Sequence, residues 1–181
     1  MKILIDNYKN FIFTNENEIY NFQNILLSIL QSDILIENIE RTNKSNNTKG
    51  VKSTEVKNII KIILFNYISN HTSNTTVKKL EITQSTKHNV YIIEYNDKTF
   101  CLKFQTANWA VLYKDFFQFT NDEYYQSFDN IIYLVPDKIL CTYLSAGTVN
   151  YENTLKFMQK YSIGLKKNFS IFGLNISSWA N

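Results

Sequence analysis

The chain is poor in the residues that break or bend regular elements. Its 181 residues include one Pro and four Gly. Because Pro interrupts helices and central strands and Gly weakens both, this scarcity favours long, regular elements. Cys101 and Cys141 are the only cysteines, and neither has metal-ligand spacing. We therefore expect two reduced thiols, which excludes a disulfide scaffold.

Long apolar runs and arginine are also scarce. No run reaches the roughly 20 apolar residues of a membrane-spanning helix, and the N-terminus lacks a signal-peptide pattern. We therefore expect a cytoplasmic protein with no membrane partner. Arg41 is the only arginine, which nearly removes the bidentate guanine contact from any DNA-reading surface. His71 and His88 stand alone, so core or solvated positions explain them better than metal ligation.

The remaining composition is that of a globular protein. Apolar residues make up 44% and aromatic residues 15% of the chain. The length favours one domain, 1–181, with a sizeable core. The net charge of +3 permits nucleic-acid binding without arguing for it.

The order of apolar patterns predicts an α/β fold with a mixed central sheet. Alternation predicts strands and 3.6-residue periodicity predicts helices. Before residue 89 these patterns predict a strand (Met1–Asp6), a helix (Glu16–Gln31), a polar loop (Arg41–Lys52), a helix (Ser53 to about His71) and a strand (Val77–Thr83). The loop is interpreted either as a phosphate-contacting arm or as a solvated linker. After residue 120 they predict strands at Asp129–Val135, Ile139–Leu144 and Phe169–Ile176, and a helix at Tyr151–Tyr161.

The central stretch, Asn89–Thr120, is predicted to be a hairpin followed by a helix. Its first strand is Val90–Tyr95 and its second is Thr99–Gln105, joined by the turn residues Asn96-Asp97-Lys98. Asn108 is placed to cap a helix that starts at Trp109.

Alternation assigns the polar residues of this hairpin to one face. Glu94 lies on one face of the first strand, and Lys103 and Gln105 lie on one face of the second. If the register brings the two polar rows together, all three side chains converge at one end of the sheet. An acid with two further polar groups spaced in this way can hold a divalent ion and activate water against a phosphodiester.

The same stretch resembles the type II restriction endonucleases of the BglII, BstYI and BamHI kind, within the PD-(D/E)xK superfamily. Those proteins carry an acid, eight intervening residues, then E-x-Q or E-x-E, followed by a loop and a helix. Here Glu94 precedes Lys103 by eight intervening residues, and Lys103-Phe104-Gln105 occupies the E-x-Q position. The glutamate of the family is therefore a lysine in this chain.

The resemblance implies a single restriction-endonuclease-like domain with a central mixed β-sheet flanked by helices. It implies Mg²⁺ as cofactor, and a homodimer that cuts a short palindrome in double-stranded DNA. Glu94, Lys103 and Gln105 would be the catalytic residues. The metal ligands would be Glu94, the backbone carbonyl of Phe104, and Gln105.

The resemblance also implies two DNA-binding loops. One carries Thr106 and Asn108, and the other carries Ser145, Gly147 and Thr148. Asn108 could pair with an adenine edge or act only as the helix cap. Trp109 and Tyr113 are expected in the core.

Three interpretations of Lys103 stay open. A carboxylate from elsewhere, Glu81 or Asp97, could complete the metal site. The lysine could orient water and stabilise the transition state. Finally, the site could be inactive, which leaves a degenerate relative that binds DNA or a protein partner without cleavage. In a purely structural role, Glu94 would be a cross-strand partner of Lys103.

Overall fold

The structure is a computed structural model that describes most of the chain after residue 80 and shorter parts before it. The described residues are 3–11, 53–54, 56–58, 60–62, 65, 80–95, 97–144, 146–161, 165 and 168–176. The predicted helix at 16–31 and the polar loop at 41–52 lie outside them. Residues 53–54, 56–58, 60–62 and 65 are helical, within the range predicted for the second helix.

Three successive strands are followed by two pairs of helices, with one strand between the pairs and one after them. The strands are β1 (Ile3–Phe11), β2 (Leu80–Ser85), β3 (Val90–Tyr95), β4 (Lys98–Phe104), β5 (Asn130–Pro136) and β6 (Asn168–Ile176). The helices are α1 (Trp109–Asn121), α2 (Glu123–Gln126), α3 (Lys138–Tyr143) and α4 (Tyr151–Tyr161).

The described strands form one mixed six-stranded sheet in the order β1-β6-β5-β4-β3-β2. Strands β4, β5 and β6 are parallel to one another, whereas β1, β2 and β3 join by antiparallel pairing. Strand β5 is buried along its whole length, as expected of a central parallel strand covered on both faces. The prediction of a mixed central sheet flanked by helices is confirmed.

Helices α1 and α4 cover one face of this sheet. Cys101, Ile131 and Phe169, which are register partners on β4, β5 and β6, pack there against Leu112 of α1 and Phe157 of α4. A Cβ atom added at Gly173 would lie 3.1 Å from the ring of Tyr151. The absence of a side chain at Gly173 therefore lets the start of α4 approach β6 closely.

Most predicted elements after residue 80 are confirmed within a few residues, but one is wrong. Ile139–Leu144 was expected as a strand and is helix α3. The Asp137 side chain accepts a hydrogen bond from the Lys138 N–H at 2.6 Å, which caps the helix directly after Pro136 ends β5. Among the described residues, no helix is long and apolar enough to cross a membrane.

Candidate active site

The register of the hairpin places Glu94 near its turn. Tyr95 pairs with Lys98, and Asp97 between them has φ 62°. This left-handed conformation is one that Asp tolerates better than most residues. Glu94 therefore lies directly opposite Thr99.

The prediction that Glu94, Lys103 and Gln105 converge at one end of the hairpin is wrong. Glu94 and Lys103 do share a face, but Lys103 lies four residues beyond Thr99, which is about 13 Å along the strand. Placing Glu94 opposite Lys103 would require a turn two residues further along the chain. The turn is shorter than the predicted Asn96-Asp97-Lys98, because Lys98 is the first residue of β4, and its register separates the predicted site residues.

Two residues with carboxylate side chains are register partners on this face of the sheet. Glu81 of β2 lies directly opposite Glu94 of β3. Residues paired in this way have Cβ atoms about 5 Å apart. Asp97, the other carboxylate considered from the sequence, is exposed in the turn. Of the two alternatives, Glu81 is the one in register with Glu94.

Lys103 is buried in an ion pair with helix α1. Its Nζ lies 2.7 Å from Oδ1 of Asp115 and donates a hydrogen bond to the Tyr125 hydroxyl at 3.2 Å. The Tyr133 hydroxyl donates to Oδ2 of Asp115 at 2.8 Å. Lys103 is 7% exposed and Asp115 is 2% exposed. The ammonium also lies 5.6 Å from the centroid of the Phe119 ring. Lys103 is therefore buried against α1 and is not presented to solvent at the end of the sheet.

Burial dominates the electrostatics around this pair. Burial raises the pKa of the Cys101 thiol from its ordinary 9.0 to about 12. The charge of Lys103 opposes this shift, and the charge of Asp115 adds to it. Burial also raises the pKa of Tyr133, and both the charge of Asp115 and its hydrogen bond add to that shift. The pKa of Lys57 is lowered, and burial is the largest cause. The positive charge of Lys103 lowers this pKa too, whereas the negative charge of Asp115 raises it. A second cation therefore stands near the pair.

Gln105 is engaged within its own loop. The side-chain Oε1 of Gln105 accepts a hydrogen bond from the Ala107 N–H at 2.9 Å. The backbone N–H of Gln105 donates to the Leu134 carbonyl at 2.8 Å. The ligands of one Mg²⁺ all lie about 2 Å from the ion, and so within about 4 Å of one another. Glu94, the Phe104 carbonyl and Gln105 are too far apart along the hairpin to fit one Mg²⁺. No three His, Cys, Asp or Glu side chains of the described residues are grouped so that they could hold a metal.

The two predicted DNA-binding loops lie against each other. The Thr148 hydroxyl donates to the Thr106 carbonyl at 3.4 Å, and the Val149 N–H donates to the Ala107 carbonyl at 3.1 Å. Gly147 is exposed with φ 85°. Ser145 lies outside the described residues. The loops after β4 and before α4 are thus joined. Asn108 and Gly147 are exposed there, whereas Thr106 is buried and does not present its side chain to DNA.

Asn108 is the cap of α1, and its side chain accepts a hydrogen bond from the Val111 N–H at 3.4 Å. It is also exposed, so a second role in DNA contact stays a prediction. The expectation that Trp109 and Tyr113 belong to the core is wrong, since they are 42% and 53% exposed. They lie on the side of α1 that the sheet does not cover.

Asp115 is the polar group that the sequence interpretation missed. It lies between Leu112 and Phe119 on the stripe of α1 that faces the sheet. A carboxylate is rarely buried without a charged partner, so its place on an apolar stripe indicates a buried cation. Lys103 is on the matching face of the strand. That pair of signals was present in the sequence.

Comparison with solved structures places this arrangement in the restriction-endonuclease fold. The crystal structure of restriction endonuclease BglII complexed with a DNA 16-mer matches 98% of this chain and 79% of its own chain, with a TM-score of 0.58 and 11% sequence identity. Free BglII matches 100% of this chain and 82% of its own, with a TM-score of 0.49 and 13% identity. This chain therefore has a BglII-like fold. No protein-family model matches it, and no curated protein does.

Proposed function

We propose that this chain binds double-stranded DNA as a homodimer and that the hairpin of β3 and β4 does not cut it. The main support for this proposal is the pair of loops at 106–108 and 146–148, which are hydrogen bonded to each other. The fold that holds these loops is BglII-like. The surface of these loops offers the Asn108 amide, able to bond a base edge or a phosphate, and the Thr148 hydroxyl oxygen, able to accept from a base amino group while it donates to Thr106. A two-fold dimer would present two such surfaces to a palindrome.

The proposal that the hairpin does not cut DNA is based on the interactions that Lys103 and Gln105 already make within the protein. Lys103 is held by Asp115, and Gln105 is held by the Ala107 N–H. Freeing the lysine would leave a buried carboxylate unpaired, which is costly. Neither group is therefore available to a phosphodiester held near Glu94.

DNA binding is tested on duplexes enriched from a random pool, by fluorescence anisotropy with and without Mg²⁺. Asn108→Ser keeps a capping oxygen but loses the amide that reads adenine, so we expect binding to weaken by roughly tenfold. Asn121→Ser is the matched control, because Asn121 is exposed at the other end of the same helix. Absence of enriched sequences, or equal losses in both variants, would contradict the proposal.

The second candidate is a type II restriction endonuclease that hydrolyses DNA with Mg²⁺. The observation that favours it is the register pair of Glu81 and Glu94. Two carboxylates are a usual protein contribution to a Mg²⁺ site. In that case Glu81→Gln and Glu94→Gln should each abolish plasmid nicking in Mg²⁺. Wild-type nicking that survives both changes would exclude this pair as the metal site.

A further inference from the structure

Gln105 lies where strand β4 passes into the loop that carries Asn108. Its backbone N–H donates to the Leu134 carbonyl at 2.8 Å, which continues the hydrogen bonding between β4 and β5 beyond the end of β4. The residue is 2% exposed. Gln105 is therefore anchored to the central sheet, and its side-chain amide is held between groups of the protein.

The Gln105 side chain closes this loop with two hydrogen bonds of opposite kind. Its Oε1 accepts from the Ala107 N–H at 2.9 Å, and its Nε2 donates to the Asn108 carbonyl at 3.5 Å. A backbone N–H can only donate, so the acceptor atom of the amide must face Ala107, which leaves the donor atom for Asn108. A carboxylate in this place could make the first bond but not the second. The amide therefore suits both ends of the loop.

The residue that Gln105 holds also carries the second loop. The Ala107 carbonyl accepts from the Val149 N–H at 3.1 Å, and the Thr148 hydroxyl donates to the neighbouring Thr106 carbonyl at 3.4 Å. Ala107 is thus fixed through its N–H by Gln105 and through its carbonyl by the loop before α4. Because one residue makes both bonds, loss of the first should loosen the second.

We infer that Gln105 is a positioning residue for the proposed DNA contact, and that it holds the loops at 106–108 and 146–148 in the arrangement that DNA meets. Gln105 is buried and does not itself reach DNA. It fixes Ala107, and Ala107 connects the exposed Asn108 to the loop of Thr148. A loop held in one conformation before binding loses less conformational freedom on binding, which favours affinity. This inference rests on the proposed function and gives the buried glutamine a role in it.

Amide hydrogen exchange on the full chain, without DNA, tests whether Gln105 holds the loops. Gln105→Met keeps the length of the side chain but removes both side-chain bonds, so exchange at Ala107 and Val149 should become roughly tenfold faster. Gln105→Glu keeps an oxygen that accepts from Ala107, so it should preserve slow exchange there. Unchanged exchange at Ala107 in Gln105→Met would overturn the inference.

Two controls separate a local effect in these loops from a general loss of stability. Gln126→Met is the matched variant, because the Gln126 amide also donates to a backbone carbonyl, that of Phe119, but lies on α2. It should leave exchange at Ala107 unchanged. Exchange at Ile132, in the buried strand β5, reports global unfolding and should change less than exchange at Ala107 in Gln105→Met. Equal acceleration at both residues would overturn a local role.

A double-mutant cycle in DNA binding tests the positioning of Asn108. We expect Gln105→Met to weaken binding by roughly tenfold, and Asn108→Ser to weaken binding by less than about twofold in that background, because the amide is no longer held in place. If Gln105 only stabilised the fold, the two losses would be additive, which would overturn the inference. Fluorescence anisotropy in EDTA and in Mg²⁺ measures all four proteins.

The metal dependence of the loss distinguishes this role from metal binding. A loss in Gln105→Met that appears only with Mg²⁺ would identify Gln105 as a metal ligand and overturn its positioning role. A wild type that binds no DNA would overturn the proposed function and the DNA role of Gln105 together. Hydrogen exchange at Ala107 would still decide whether Gln105 holds the loops, so the two failures are distinguishable.

Discussion

Lys103 joins β4 to α1 through a buried ion pair, which its length and its charge make possible. Its ammonium reaches Asp115 and the Tyr125 hydroxyl, and Tyr133 takes the other carboxylate oxygen. Each polar atom of the pair thereby gains a partner where water is excluded. Such a pair need not add net stability, but breaking it leaves a buried charge without compensation.

Removing one member of this pair should therefore cost more than removing both. We expect Lys103→Met and Asp115→Leu to lower the free energy of unfolding by about 3–5 kcal/mol each, and the double variant by much less than their sum. Urea unfolding measures all three. Lys98→Met is the control, since Lys98 and Asp129 form an exposed pair at 3.8 Å that is worth about 1 kcal/mol at most. Additive losses would contradict a coupled buried pair.

The Cys101 thiol predicts how stability depends on pH. The unfolded thiol releases its proton near pH 9, whereas burial holds the proton on the folded thiol to about pH 12. The folded state binds more protons in that window, so its stability falls as the pH rises through it. Each such group contributes a slope of about 1.4 kcal/mol per pH unit. Cys101→Ala should reduce the slope by that amount in urea unfolding between pH 9 and 11. An unchanged slope would contradict a buried, protonated thiol.

At the scale of the element, the hairpin shows how correctly predicted strands can still give a wrong site. The strands and the turn were predicted from β-branched residues and from Asn96-Asp97-Lys98. The eight residues between Glu94 and Lys103 put both on one face, but the turn pairs Glu94 with Thr99 and leaves Lys103 four residues further along the strand. Strand alternation gave the faces correctly, but position along the strand follows from the turn.

The hairpin register is open to a direct test by disulfide formation. Glu94→Cys with Thr99→Cys should form a disulfide on mild oxidation, because residues directly opposite in an antiparallel pair have Cβ atoms about 5 Å apart. Glu94→Cys with Cys101, in the otherwise unchanged chain, should not, since Cys101 lies opposite Ile92. Peptide mapping distinguishes the two. A dominant bond to Cys101 would indicate a register shifted towards the predicted one.

Two substitutions at Asn108 distinguish its role as the cap of helix α1 from any other role of its amide. Asn108→Ala should lower the free energy of unfolding by about 1 kcal/mol, whereas Asn108→Ser should change it by only a few tenths. Urea unfolding compares the two variants. An equal cost for both would indicate that the amide, rather than a capping oxygen, stabilises the loop.

Across the whole molecule, local patterns predicted most of the elements, helix α3 excepted, but not the pairing of strands over long distances in the chain. The mixed sheet follows from strands separated by helices. The pairing of β1 with β6 joins residues that are more than 150 positions apart, and no periodicity within either strand specifies it. The burial of Lys103 depended in the same way on Asp115, which belongs to the next element. The sequence marks Asp115 as a carboxylate on an apolar stripe, but the packing of the elements decides which cation it meets.

Plasmid nicking by wild type, Lys103→Glu and Glu94→Ala, side by side in Mg²⁺ and in Mn²⁺, tests the central claim most directly. We expect no cutting above background by any of the three, while wild type and Glu94→Ala bind DNA equally. Lys103→Glu rebuilds the E-x-Q pattern but buries a second carboxylate beside Asp115, so it should lose stability rather than gain activity. Cutting by wild type that Glu94→Ala abolishes would contradict the separation of the hairpin residues from catalysis.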